Sequence, residues 1–477
     1  MSLDPNDLVA ALNEGRSYWG DFAEIFAERR TDTIVVLDDG RLDKLSAGEE
    51  AGVGVRIFHG PTSAYVYTSD FSRDAIVEAM RLASAAAKQR AGTGETLVAS
   101  LDRGITPTPL SVYKQLPDSI PLSDKVAIVR NANRIARGLG AEIRQVTASY
   151  QDYIQDVTIV NSLEEVAQDR RVQTVFSINV VASDGTILQT ANESTAALAG
   201  FEQVAGDLPE RYARIAGERA LRMLRARPAP AGTMPIVCAA GTGGVLIHEA
   251  IGHGMEADFN LPNKPMSVFA GKVGQLVAHP KVTIVDDATI PNFRGSYRYD
   301  DEGVPGQRRL LIEKGILRNY MNDRKTAREL GVAPNGGGRR QSFRHTPMPR
   351  MTNTFMLSGD DDPNAIIRSV EHGLLIKQMG GGQVNIVSGD FVFNIQEAYL
   401  IEKGQIAEPV RGATVIGNGP AILKIIDLVG NDSRLESRAG MCGKDGQGAP
   451  VGFGIPTLRV PEIVVGGIVP GMTETMR

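Results

Sequence analysis

The chain has 477 residues, more than one hydrophobic core usually serves, so at least two domains are expected. Its 42% apolar and 22% charged residues are those of a soluble globular protein, and a net charge of −5 offers nucleic acid no basic face. Two cysteines, Cys238 and Cys442, exclude a disulfide scaffold, and no apolar run is long enough to span a membrane.

The opening stretch, MSLDPNDLVAALNEG, is acidic and lacks the apolar core of a signal peptide, so a cytoplasmic protein is expected. Asp39-Gly40 marks a hairpin turn, and alternation of Val53, Val55 and Ile57 marks a strand over 52–58. A helix over 72–90 follows, with Ile76, Ala79, Met80, Ala83 and Ala87 in one stripe and Ser72 as its N-cap. Residues 91–122, rich in Pro, Thr and Gly, read as a long connection. A second helix spans 123–137 and is closed by Gly138. Strands resume near 143; Phe176, Ile178 and Val180 alternate over 175–181, and Asp184-Gly185 is the next turn. A helix over 208–225 ends this half.

Strands-then-helix thus occurs twice, which suggests a duplication with subdomains 1–90 and 123–226. An α+β fold is expected, an antiparallel sheet with helices on one face. RPAPAG (227–232) reads as a linker, giving domains 1–230 and 231–477. The second is β-rich and glycine-rich, with a short strand over 234–240 and helices near 242–258, 322–330, 361–372 and 420–428.

The segment GTGGVLIHEAIGHGMEADF (241–259) carries the chemistry. It places His248, Glu249 and His253 as H-E-x-x-x-H, one residue longer than the familiar H-E-x-x-H zinc pattern. On a straight α-helix a spacing of five swings the second imidazole about 140° from the first. The two can share a metal only where the helix ends or bulges, and Gly252 and Gly254 allow such a break. Imidazoles are good zinc ligands, and Glu249 could act as general base on a zinc-bound water. A third ligand is needed; Glu256, Asp258 and Cys442 are the candidates. Cys442 lies in GMCGKDGQG, read as an exposed, glycine-flanked loop that suits a metal-bound thiolate better than a core cysteine.

These residues resemble the metal motif of the TldD/PmbA, or modulator of DNA gyrase, family. The blocks at 297–327, 336–354, 393–420 and 441–454 are similar to it as well, in the same order. The resemblance implies an N-terminal α/β domain and a β-rich C-terminal metallopeptidase domain. It implies a zinc-dependent metalloprotease acting on unfolded or modified peptides, with Cys442 as the third ligand. It also implies a homodimer, or a heterodimer with a zinc-less PmbA/TldE-like paralogue, of which this chain resembles the zinc-bearing member. The alternative is a non-catalytic regulatory subunit of a protease or gyrase-modulating complex. The intact Glu249 argues against it, because a structural zinc needs no base.

Other residues have blander readings. Cys238 sits in an apolar strand and is read as core. His59 and His279 are read as structural, and His372 as ending a helix, where a cation suits the dipole. The arginine-rich stretch 339–350 could hold a peptide carboxylate but is read first as surface or inter-subunit pairing. The glycine-rich segment 379–389 suggests a sheet edge to which an extended peptide could add. GTGG (241–244) lacks the Lys-Ser/Thr ending of a phosphate loop.

Overall fold

The structure, a computed structural model, describes residues 4–90, 111–241 and 244–467. Two runs of helix, three strands and helix follow one another. The first comprises α1 (Pro5–Glu14), β1 (Phe22–Asp38), β2 (Arg41–His59), β3 (Thr62–Thr68) and α2 (Arg73–Arg90). The second comprises α3 (Leu122–Arg137), β4 (Ile143–Asn161), β5 (Val166–Ser183), β6 (Leu188–Ala197) and α4 (Leu208–Arg225). The expected connection at 91–122 lies outside the described residues as far as 110.

All six strands form one antiparallel sheet in the order β3-β2-β1-β4-β5-β6, so the two runs meet at the β1–β4 ladder and mirror one another about it. This is the duplication the sequence suggested. Alternation along β1 explains the layering. Ala23, Ile25 and Ala27 face α1 and α2, whose Leu8, Ile76, Met80 and Ala83 complete one core. Further along the same face Val35 and Leu37 join α3 and α4 in a second core with Val129, Ala216, Tyr150 and Phe176. Burying each such aliphatic or aromatic side chain contributes about 1.5–3 kcal/mol. Ser72 caps α2 as expected, its Oγ accepting the Ala75 N–H at 3.3 Å.

The opposite face of β1 carries Glu24, Phe26 and Glu28, all buried against the C-terminal half. Phe26 packs with Phe343, whereas Glu24 accepts hydrogen bonds from Arg56 at 3.1 Å and Arg340 at 2.6 Å. The 339–350 stretch is therefore only partly a surface, exposed at Gln341, Arg344 and Thr346. Arg339, Arg340 and Arg350 are buried within the chain, and carboxylates distant in sequence, Glu24 and Glu256, neutralise Arg340 and Arg350.

The C-terminal half is built on two sheets. One runs Ile316–Leu317, Arg308–Glu313, Ile284–Asp287, Asn353–Met356, Gln447–Ile455, Arg434–Lys444. In the other, His372–Val384, Gly232–Cys238, Leu458–Gly466, Thr414–Asn418 and Asp390–Glu402 pair in turn, and the last pairs back to the first, closing a ring. The irregular register between Met379 and Gly382 bends the strand that closes it. The glycine-rich segment is thus largely built into this ring and is laddered to Asp390–Glu402. Arg227–Pro228 is no free linker, since it pairs with the strand Gln405–Arg411 and ends that sheet. One large core fills the space between the sheets, and the helical segment after Gly244 is embedded in it through Leu246, Ile247, Ile251 and Met255.

Candidate metal centre

The expected helix over 242–258 forms in pieces. Gly244–Ile247 is α-helical, His248–Gly252 is a π turn and His253–Met255 a tight 3₁₀ turn. The His253 N–H donates to the His248 carbonyl. That i+5 closure brings residue five back over residue one, which resolves the spacing problem of H-E-x-x-x-H. The imidazole rings meet edge-to-face with centroids 5.3 Å apart. Gly252 serves here by its size rather than by unusual dihedrals: a Cβ would lie 2.0 Å from Met351 Sδ, while its φ of −56° suits any residue.

Cys442 joins the two histidines from the strand Arg434–Lys444, which is the edge of its sheet. It is buried at 2% exposure, not loop-borne. The glycines around it accompany a regular hairpin ladder, in which Cys442 opposite Ala449 turns inward and Met441 outward. One donor atom from each of His248, His253 and Cys442 lies within 4.8 Å of the others. Cys442 Sγ is 3.4 Å from His253 Nε2. Two ligands held tetrahedrally by one zinc, at about 2.3 Å for sulfur and about 2.0 Å for nitrogen, would be about 3.5 Å apart. His248 Nδ1 is buried without a partner. The N₂S donor set, its spacing and this orphaned nitrogen fit a zinc ion.

The electrostatics concentrate on the same atoms. Burial opposes ionisation of Cys442, yet His248 and His253 outweigh it and bring the thiol down to about 5. Burial opposes a charged His253 too, but Glu256 and then Cys442 raise it to about 11. Burial of Glu256 is overcome by Lys444, His253 and Arg350, which hold it down to about 2. Sulfur and imidazole thus share protons that a divalent cation would displace.

Glu249 is part-exposed, with Oε2 3.9 Å from His253 Nε2, so it borders the cluster while remaining open to solvent. Glu256 and Asp258, the other candidate ligands, stand elsewhere. Glu256 Oε2 lies 3.0 Å from His253 Nδ1, behind the ring, and Asp258 accepts from Lys444 at 2.8 Å. Lys444 Nζ is also 3.2 Å from Glu256, and Arg350 donates to the Cys442 and Gln447 carbonyls. A carboxylate behind a ligating imidazole fixes its tautomer and orientation. From sequence Glu256 is only a candidate ligand, and its distance of three residues from His253 is the one hint of this position behind the ring.

The remaining residues are ordinary. Cys238 is core, its thiol pushed up to about 12 by burial. His59 Nε2 contacts Ser84 Oγ at 3.0 Å, and His345 Nδ1 contacts Ser342 Oγ at 2.9 Å. His279 Nδ1 accepts from the Lys281 N–H at 3.2 Å. His372 does not end a helix: that helix stops at Arg368, and His372 opens the strand His372–Val384.

A sheet-supported helix that breaks at H-E-x-x-x-H, with a cysteine from a neighbouring strand, thus brings together three groups that could hold a metal ion. The PmbA/TldA metallopeptidase models match as domain 1 over residues 23–87, central domain over 115–224 and C-terminal domain over 231–467. The chain belongs to the PmbA/TldD metallopeptidase family. It is 39% identical over 454 residues to the Metalloprotease TldD homolog of Haemophilus influenzae, covering 94% of this chain and 93% of that protein. It is 33% identical over 303 residues to the Zinc metalloprotease TldD homolog of Saccharolobus solfataricus, covering 62% of this chain and 65% of that one. The fold matches TldE from Thermococcus kodakarensis, with a TM-score of 0.75, 16% identity, and 97% of this chain and 100% of that one covered. No helix among the described residues is long and apolar enough to cross a membrane.

Proposed function

We propose that this chain is a zinc-dependent metalloprotease that hydrolyses peptide bonds in unfolded or extended peptides. His248, His253 and Cys442 hold the zinc and Glu249 is the general base. The observation that carries the reading is the convergence of three ligand atoms from two distant segments, with Cys442 Sγ and His253 Nε2 3.4 Å apart, beside a solvent-open carboxylate.

Bound there, zinc would supply a Lewis acid that polarises the scissile carbonyl and acidifies water. Glu249 takes a proton from the attacking water on its carboxylate and passes it to the departing amine. Glu256 accepts from His253 Nδ1–H and so keeps Nε2 turned toward Cys442. Lys444 and Arg350 keep Glu256 ionised. The Cys442 strand is a sheet edge, and an extended peptide could lie beside it as an added strand. A compact domain could not, so cleavage is expected of unfolded chains only.

A dimer, either of this chain or with a zinc-less paralogue, is what the family resemblance implies. The test is Glu249→Gln. It should keep its zinc and its folded stability while losing about 10²–10⁴-fold in peptide turnover. Wild-type turnover in that variant would remove Glu249 from its role and favour the non-catalytic reading. A fully active monomer by light scattering would refute the dimer.

A further inference from the structure

We propose that a second, arginine-lined cavity is an oxoanion site, taking a carboxylate or phosphate group between Arg294 and Arg339. The cavity holds about 350 Å³ and lies between the polar face of the β4–β5 ladder and the C-terminal half. Arg30, Arg171, Arg294, Arg339 and Arg340 line it, and no Asp or Glu among the described residues does. Three of these are neutralised from outside the cavity: Arg30 by Asp32, Arg171 by Asp169 and Asp301, and Arg340 by Glu24.

Arg294 and Arg339 are not. Arg294 donates to the Gly440 carbonyl at 2.8 Å and to Gln173 Oε1 at 2.9 Å. Arg339 donates to the Met351 carbonyl at 2.6 Å and stacks over Tyr297 at 5.3 Å. Neither meets a carboxylate among the described residues, although they are only 6% and 7% exposed. Two buried cations facing one cavity without a counter-charge are unfavourable until an anion enters. Burial, and the neighbouring Arg339 and Arg30, pull the Arg294 guanidinium below its ordinary value, the same imbalance seen from the titration side. The remaining N–H groups of two forks suit the paired oxygens of carboxylate or phosphate. Met441 lines the cavity and the adjacent Cys442 turns the other way, so the bound oxoanion lies across one strand from the thiol.

Binding is read without turnover, so its failure is separate from failure of the peptidase reading. Inorganic phosphate is titrated calorimetrically into wild-type protein, and the melting midpoint is compared in phosphate and in chloride at equal ionic strength. Saturable binding and a higher midpoint in phosphate are expected. Arg294→Met and Arg339→Met should abolish the phosphate response while leaving the phosphate-free midpoint unchanged or higher, since each removes an unpaired buried charge. Arg294→Lys covers the case in which a Met variant does not fold, with affinity expected to fall about tenfold. Competition with trialanine and with its C-terminal amide then separates the sources. Displacement by the acid alone identifies a peptide carboxylate, and displacement by neither identifies a free oxoanion. No phosphate binding by the wild type, or a response unchanged in the Arg294 and Arg339 variants, overturns the proposal.

Discussion

The seam beneath β1 and the metal centre both bury clusters of charge, but they complete those clusters differently. In the seam Glu24 lies between Arg56 and Arg340, and Glu302 accepts from Arg56 and from the Arg324 N–H. Cation and anion alternate, and the protein supplies both. At the centre two imidazoles and a thiol converge, with a carboxylate behind one ring and the cations Lys444 and Arg350 behind that carboxylate. The basic groups support the second layer and leave the converging lone pairs alone. A self-balanced cluster holds two halves of a fold together. A cluster whose donors face one another and are braced from behind is arranged to accept a cation.

Cys442→Ser breaks the comparison most sharply. It removes the softest donor and leaves the seam untouched, so zinc affinity should fall by more than the roughly 100-fold upper limit of a supporting-residue change, with little loss of stability in the metal-free protein. Zinc titration with a competing chelator measures it. Unchanged affinity would show that the sulfur is not a ligand.

Glu24→Gln is the converse change. It leaves Arg56 and Arg340 buried with one carboxylate fewer, and breaking a buried pair costs about 3–5 kcal/mol. Denaturant unfolding should show that loss, while the zinc affinity of the folded fraction stays at the wild-type value. A variant of normal stability would mean that the seam is balanced by something other than Glu24.

Which of these features could be read from the chain follows from their range. The helices α2, α3 and α4 were legible because 3.6-residue apolar stripes fix them, helped by the Ser72 cap of α2 and by Gly138 at the end of α3. The break at the metal motif was legible too, since five residues between histidines cannot serve one metal on a straight helix. The arginines at 340 and 350 were misread because the groups that permit their burial, Glu24, Asp301 and Glu256, lie far away in sequence, and Arg339 because the Met351 carbonyl and the Tyr297 ring that cover it are equally invisible there. Cys442 was misread because glycine on both sides looks like a loop, whereas strand alternation, visible only with its partner Gln447–Ile455, turns it inward. The role of Glu256 had no local signature at all, because a carboxylate three residues from a histidine is common.

The smallest expected effect concerns that residue. Glu256→Gln keeps the volume and an acceptor for His253 Nδ1–H but removes the charge. If Glu256 orients and polarises the imidazole, zinc affinity should fall about 10–100-fold, less than for Cys442→Ser. The same change leaves Lys444 and Arg350 facing a neutral amide, so stability falls for a separate reason. Adding Lys444→Met separates the two effects. The second substitution removes the excess cation but also takes from Asp258 its partner at 2.8 Å, so stability should recover only in part, whereas zinc affinity should stay low because the imidazole still lacks its carboxylate. Recovery of both together would mean that Glu256 acts only by balancing Lys444. A single variant that binds zinc like the wild type would show that His253 is held in place by the π turn alone.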